Sequence, residues 1–132
     1  MNVQDYRAEG YALSMNIDQA AVTRAEKDVI ANYIVPIVGS TFDQECEPVR
    51  SCILALSFLL VMERKAVATR AGGKEKLTQQ STTPTRAELI AQNAATCARH
   101  IEQVRAIDGA NKNAKVHDIC GIYFKSNFFY TD

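Results

Sequence analysis

The 132-residue sequence has little of what marks a catalytic or metal-binding protein. Only two histidines are present, and the four cysteines are scattered without a Cys-x-x-Cys pair, so neither a disulfide scaffold nor a zinc site is expected. The sequence contains no glycine-rich phosphate-binding motif, no Gly-x-Ser-x-Gly and no His-Glu-x-x-His. We therefore expect no enzyme activity, no cofactor, no metal and no small-molecule substrate.

The histidines do not combine with their neighbours into a recognisable site. His117 precedes Asp118, but adjacent side chains on a helix or strand point apart. Cys97 and His100 are three residues apart on a predicted helix, and two ligands do not make a metal site. His100 is predicted to face solvent from that helix.

Long apolar runs and an excess of one charge are also missing. The longest apolar stretch, residues 52–62, has eleven residues, whereas a bilayer-spanning helix needs roughly twenty. The amino terminus lacks the layout of a signal peptide, so we expect an intracellular, soluble protein.

Fifteen basic and fifteen acidic side chains cancel, and no pair of helices has the short turn and basic face of a helix–turn–helix. We expect neither a membrane nor sequence-specific nucleic acid as a partner.

The charges that cancel overall are unevenly distributed along the chain. Residues 1–50 hold eight acids and four bases, whereas residues 51–132 hold seven acids and eleven bases. Opposite excesses in the two portions would suit head-to-tail association of identical subunits. A chance imbalance on a solvated surface would give the same pattern.

The apolar pattern predicts a single, mainly all-α domain with three long helices. With 47% apolar and 23% charged residues, the chain can bury one core. The first helix, residues 18–38, has apolar positions at three- and four-residue spacing and a capping-box pattern of Asn16 with Gln19. Pro36 should kink or end this helix, and Gly39 suits the position just past a helix end.

The second long helix, residues 48–70, is apolar on every side, which predicts that other protein surrounds it. The third begins with a capping box from Thr85 to Glu88 and ends at Asp108. It carries a narrow apolar seam suited to packing along a neighbouring helix, formed by Ile90, Ala94, Cys97, Ile101 and Val104. Two striped helices are too few to cover the second helix, so we expect the C-terminal tail or another subunit to complete its cover.

Three segments lie outside this helical frame. Residues 1–15 are an N-terminal arm, of which residues 3–13 could form a short helix or an ordered arm. Residues 71–84 are a polar, extended loop or hairpin between the second and third long helices. Residues 63–76 hold five bases and two acids, as either a solvated helix end or a binding surface would.

The third segment is a C-terminal tail, residues 109–132, which is rich in aromatic side chains that would be unfavourable in solvent. Ile122 and Phe124 are expected to close the core. Phe128, Phe129 and Tyr130 could do the same or dock on a neighbouring subunit.

The order of these elements resembles the small head–tail connector (head-completion) proteins of tailed phages and prophages. The similarity covers residues 15–108 and includes the helix ending Ile-Val-Pro-Ile-Val-Gly at residues 34–39 and the glycine-marked excursion at residues 71–83. It implies a structural subunit that oligomerises into a ring between portal and tail, with itself and portal or tail proteins as partners. The location would be the cytoplasm of a bacterial host or the virion.

On this reading the oligomer interface has a loop part and a tail part. The loop part is Gly72, Gly73, Lys74, Lys76 and Leu77, and the tail part is Phe128, Phe129 and Tyr130. The alternative function is a helical adaptor or regulatory module, which would bind a partner protein through the apolar seam of the third helix.

Overall fold

The computed structural model describes residues 1–11, 13, 17–71 and 86–116, and within these ranges the chain is helical, with no β-strand. The predicted all-α fold class is confirmed. In the same ranges, no helix has both the length and the apolar character needed to cross a bilayer. The α-helices in chain order are α1 (Val3–Ala8), α2 (Gln19–Val29), α3 (Val35–Val38), α4 (Glu47–Ala71) and α5 (Arg86–Arg105).

The N-terminal arm begins with helix α1, which is closed at its start by a reciprocal cap. The Asn2 side chain accepts a hydrogen bond from the backbone N–H of Asp5, and the Asp5 carboxylate accepts one from the backbone N–H of Asn2. Gly10 follows the helix at φ +91°, where a side chain would be strained. The short helix is therefore the alternative that residues 3–8 adopt.

The N-cap of helix α2 lies two residues later than the sequence predicted. Its N-cap is Asp18, whose carboxylate accepts a hydrogen bond from Ala20 N at 3.0 Å. The prediction that Asn16 caps this helix is therefore wrong. The Gln19 side chain, assigned to the same capping box, instead accepts a hydrogen bond from Val3 N at 3.0 Å and so ties the arm to α2.

Pro36 disturbs the helix one turn before itself and does not end it. Residues Ile30–Ile34 form a π-helical turn between α2 and α3, and helical winding then continues through Pro36 to Val38. The proline ring clashes with the carbonyl four residues back, and the wider π turn there relieves that crowding. Gly39, at φ +91°, ends the helix and donates its N–H to Val35 O at 2.8 Å, as its position predicted.

Helix α4 lies at the centre of the molecule, between α5 and α2. The two longest helices are antiparallel, because Ile107, just past the end of α5, lies beside Cys46, just before the start of α4. The buried residues of α4 follow one another around its whole circumference, which confirms the predicted surrounded helix. They are Val49, Cys52, Ile53, Leu54, Ala55, Leu56, Ser57, Leu59 and Val61.

Part of the cover over α4 comes from helix α1 and the segment around it. Tyr6 and Leu13 cluster with Leu54 and Val61 on one side of α4, together with residues of α2. On the other side, Val116 beyond α5 joins the main core. The chain itself therefore covers more of α4 than the sequence predicted, because that prediction counted only the two long helices with an apolar stripe.

Candidate interaction site

The predicted loop and tail interface residues lie outside the described residues. They are Gly72, Gly73, Lys74, Lys76, Leu77, Phe128, Phe129 and Tyr130. The described helices bound the loop part, since α4 ends at Ala71 and α5 begins at Arg86. These assignments therefore stay predictions.

At the opposite end of the α4–α5 pair, the described residues form a groove that the sequence did not reveal. We call it the end groove. It has a cavity of about 180 Å³ with a mainly apolar floor and exposed carboxylates at its edge. Its lining consists of Val38, Phe42, Asp43, Cys46, Val49, Ile107, Asp108, Gly109 and Ala110.

One wall of the end groove is the turn that follows α5, and one backbone hydrogen bond holds it against α3. Asn111 donates its N–H to Ile37 O at 2.7 Å, and Ala110 donates to Ile107 O at 3.0 Å. Gly109 adopts φ +83°, so a residue with a side chain would be strained at this turn. The wall is therefore fixed to α3 as well as to its own helix.

A buried arginine reinforces the same wall. Arg105 is 3% exposed, and its guanidinium donates to Lys112 O at 3.1 Å and to Ala114 O at 2.5 Å. Lys112 Nζ returns a hydrogen bond to Arg105 O at 2.9 Å. Charge-assisted hydrogen bonds are roughly twice as strong as neutral ones, so these bonds hold the segment after α5 against the end of that helix.

The opposite wall is the acidic connector before α4. The carboxylate of Asp43 accepts a hydrogen bond from Glu45 N at 2.9 Å, and the carbonyl of Asp43 accepts one from Cys46 N at 3.2 Å. This local turn is typical of an aspartate at a helix approach. It places Asp43 in the lining of the groove, to which Asp108 also belongs.

An open cleft of about 600 Å³ adjoins the end groove and shares Ile107 with it. The cleft is lined by Glu47, Pro48, Ser51, Gln103, Ala106 and Ile107. With Asp43 and Asp108, Glu47 makes the combined rim acidic. In the part of the chain that the structure describes, neither Asp43 nor Asp108 has a basic side chain within ion-pair distance.

A second polar cluster is enclosed between α1 and α2. Glu26 is 8% exposed; one carboxylate oxygen accepts a hydrogen bond from the Tyr6 hydroxyl at 2.5 Å, and the other accepts one from the Met1 ammonium at 3.1 Å. Burial, and then the hydrogen bond to Glu26, raises the pKa of the Tyr6 phenol far above its ordinary value. Tyr6 therefore stays a hydrogen-bond donor, and the cluster locks the arm without offering a site to a ligand.

The metal-ligand candidates of α5 are partly or fully enclosed. The sequence predicted that His100 faces solvent, but its side chain is partly buried. Burial lowers the pKa of His100, and the positive charge of Arg99 lowers it further. Cys97 belongs to the main core. Among the residues that the structure describes, no group of three or more potential ligands could hold a metal ion.

The apolar seam of α5 packs along α4. Cys97, Ile101 and Val104 are 1%, 0% and 0% exposed and belong to one cluster with residues of α4. For these three residues the prediction of packing along a neighbouring helix is confirmed. The side chains of these three residues are buried within the protein and are not exposed to a partner.

The thiols of the described cysteines should react at different rates, because they are buried to different extents. Burial raises the pKa of the Cys52 thiol far above its ordinary value, and Cys97 is equally enclosed, whereas Cys46 is partly exposed at the end groove. A short iodoacetamide pulse on the folded protein should label Cys46 at least about tenfold faster than Cys52, because the reactive species is an accessible thiolate. Peptide mass mapping measures the ratio, and the same pulse in denaturant should remove the difference. Equal labelling of the folded protein would contradict the burial of Cys52.

No protein-family model matches the chain, and no curated protein or solved structure shows significant similarity to it.

Proposed function

We propose that the protein is a structural subunit of the head–tail connector type, which assembles with copies of itself into a ring between portal and tail. The arrangement of α4 and α5 is the observation that supports this. They are the two longest helices, they pack antiparallel, and residues 72–85 connect them at one end. Connections of that length are uncommon in compact domains and are usually either functional or linkers, and the proposal assigns this one to contacts between subunits.

The use of buried polar groups also supports a structural role. Glu26 and Arg105 are the charged residues most deeply buried among those described, and both bind groups of their own chain. Each serves to fix a segment: Glu26 the N-terminal arm, and Arg105 the turn after α5. Both buried charges therefore serve the fold, which suits a protein that functions through its surface.

The adaptor alternative receives less support. Its proposed binding surface was the seam of α5, but Ile101 and Val104 are fully buried against α4. A partner could reach them only by displacing α5 from the core, which would expose apolar surface on both helices.

Native mass spectrometry, with negative-stain images as a second readout, tests the assembly. Purified protein is measured across rising concentration, alone and with a portal protein encoded in the same genome. We expect closed oligomers of one subunit number. Deleting residues 74–83 should abolish them, because the deletion removes the side chains proposed to bridge subunits.

A matched control replaces residues 74–83 with a glycine–serine segment of equal length, which keeps the helix connection but removes the same side chains. Both variants should retain the helical circular dichroism spectrum of the parent protein, and neither should assemble. A parent protein that stays monomeric at every concentration, even with the portal protein, would overturn the proposed function.

A further inference from the structure

The geometry points to the end groove as the receptor for a second copy of this chain, which inserts its basic end there. We define the basic end as residues 63–76, followed by Leu77. The inference rests on the proposed function and specifies the subunit contact that such an assembly would use. It follows from the apolar floor, the acidic rim and the distance between groove and basic end.

The floor of the end groove suits an apolar side chain. Its cavity of about 180 Å³ is lined mainly by carbon-rich groups such as Val38, Phe42 and Ile107. Small pockets that combine an apolar floor with a few placed polar groups are typical recognition sites. An aliphatic side chain could pack on the apolar floor, while basic residues beside it in the sequence could pair with the acidic rim.

The rim supplies the charge. Asp43, Glu47 and Asp108 are all exposed, and Glu45 and Glu102 are exposed nearby in sequence. Within the described residues, the rim aspartates have no basic partner at ion-pair distance. An incoming group with several positive charges would therefore find carboxylates that are still free to pair.

The basic end provides the complementary chemistry on the same chain. It holds five bases and two acids, and Leu77 follows Lys74 and Lys76 directly. Arg64, its described representative, is 44% exposed and pairs with Asp28 at 2.5 Å. A segment of alternating lysines beside one leucine matches an apolar cavity with an acidic rim.

The positions of the two surfaces require that the pairing join different copies. The groove lies at the beginning of α4, and the part of the basic end that carries Lys74, Lys76 and Leu77 follows Ala71, which ends this 25-residue helix about 37 Å away. Leu77 is only six residues beyond Ala71 and can reach at most about 22 Å from it. A chain cannot fill its own groove, and repeated pairing of unlike surfaces generates a ring when the rotation closes.

Paired charge reversals test the contact. One variant reverses the groove (Asp43→Lys with Asp108→Lys), and the other reverses the basic end (Lys74→Glu with Lys76→Glu). Each alone places like charges across the interface and should raise the concentration for half-assembly at least about tenfold, because like-charge contacts suppress association. Mixed together, the two variants should assemble again, since each now offers what the other accepts.

Native mass spectrometry with one variant isotopically labelled reads the result, and alternating subunits are expected in the mixture. A control chain with Gln4→Lys, Glu9→Lys and Gln92→Lys carries the same change in net charge at exposed positions away from the groove, and should assemble normally. Thermal melts verify folding, and Asp108→Lys alone serves as a milder variant if the double reversal unfolds.

The outcomes separate this inference from the function on which it rests. Parent rings that tolerate the groove reversal would overturn the groove contact and leave the connector proposal standing. Loss of assembly without recovery on mixing would overturn the basic end as the occupant. A parent protein that never assembles would overturn both.

Discussion

Replacing Glu26 with alanine should lower the free energy of unfolding by roughly 3 kcal/mol, which is typical for removing one partner of a buried ionic pair. The substitution leaves the buried Tyr6 hydroxyl and the Met1 ammonium without the carboxylate that accepts hydrogen bonds from both. It also frees the arm that covers Leu54 and Val61. Urea denaturation followed by circular dichroism at 222 nm measures the loss.

Asp28→Ala is the matched control, because Asp28 is an acid on the same helix. It pairs with Arg64, but the two side chains are 49% and 44% exposed, so removing the pair should lower the free energy of unfolding by about 1 kcal/mol or less. Tyr6→Phe isolates the hydrogen bond and should cost about 1–2 kcal/mol. A Glu26 variant no less stable than the Asp28 variant would contradict the enclosed cluster.

The helices that the sequence located best are those whose signals are local. The apolar run and the glycines after it placed α4 at residues 48–70, and the structure has Glu47–Ala71. The position of Gly39 just past a helix end was equally readable, because its conformation depends only on the adjoining turn. Spacing within one helix also identified the α5 seam that packs on α4.

Features that depend on distant contacts were not readable in the same way. Glu26 lies between Ala25 and Lys27 and has no sequence mark of burial, because Tyr6, twenty residues away, encloses it. Arg105 is similar, since the carbonyls that bind it belong to a turn with no regular pattern. A charged residue's burial is set by what the fold brings to it, and a hydropathy pattern does not contain that information.

The end groove shows the same division between local and long-range information. The acidic side chains of residues 43–47 and the glycine at residue 109 are present in the sequence as separate features. They line one groove only because α4 and α5 pack antiparallel. The loop and tail contacts were instead inferred from a resemblance in element order, so they stay predictions that the assembly experiments address.

Replacing Leu56 with alanine should lower the free energy of unfolding by about 2–5 kcal/mol, the range for truncating a large side chain in a packed core. Leu56 is 0% exposed at the centre of α4 and belongs to the main cluster, which includes residues from α2 to α5. Truncation leaves a cavity inside this closely packed cluster, and the surrounding side chains relax only partly to fill it. Leu60→Ala, one turn later at a partly exposed position, is the control and should be less destabilising in the same urea titration, since water already reaches part of the side chain. Equal losses at the two positions would mean that the side chain of Leu56 is enclosed no more than the partly exposed side chain of Leu60.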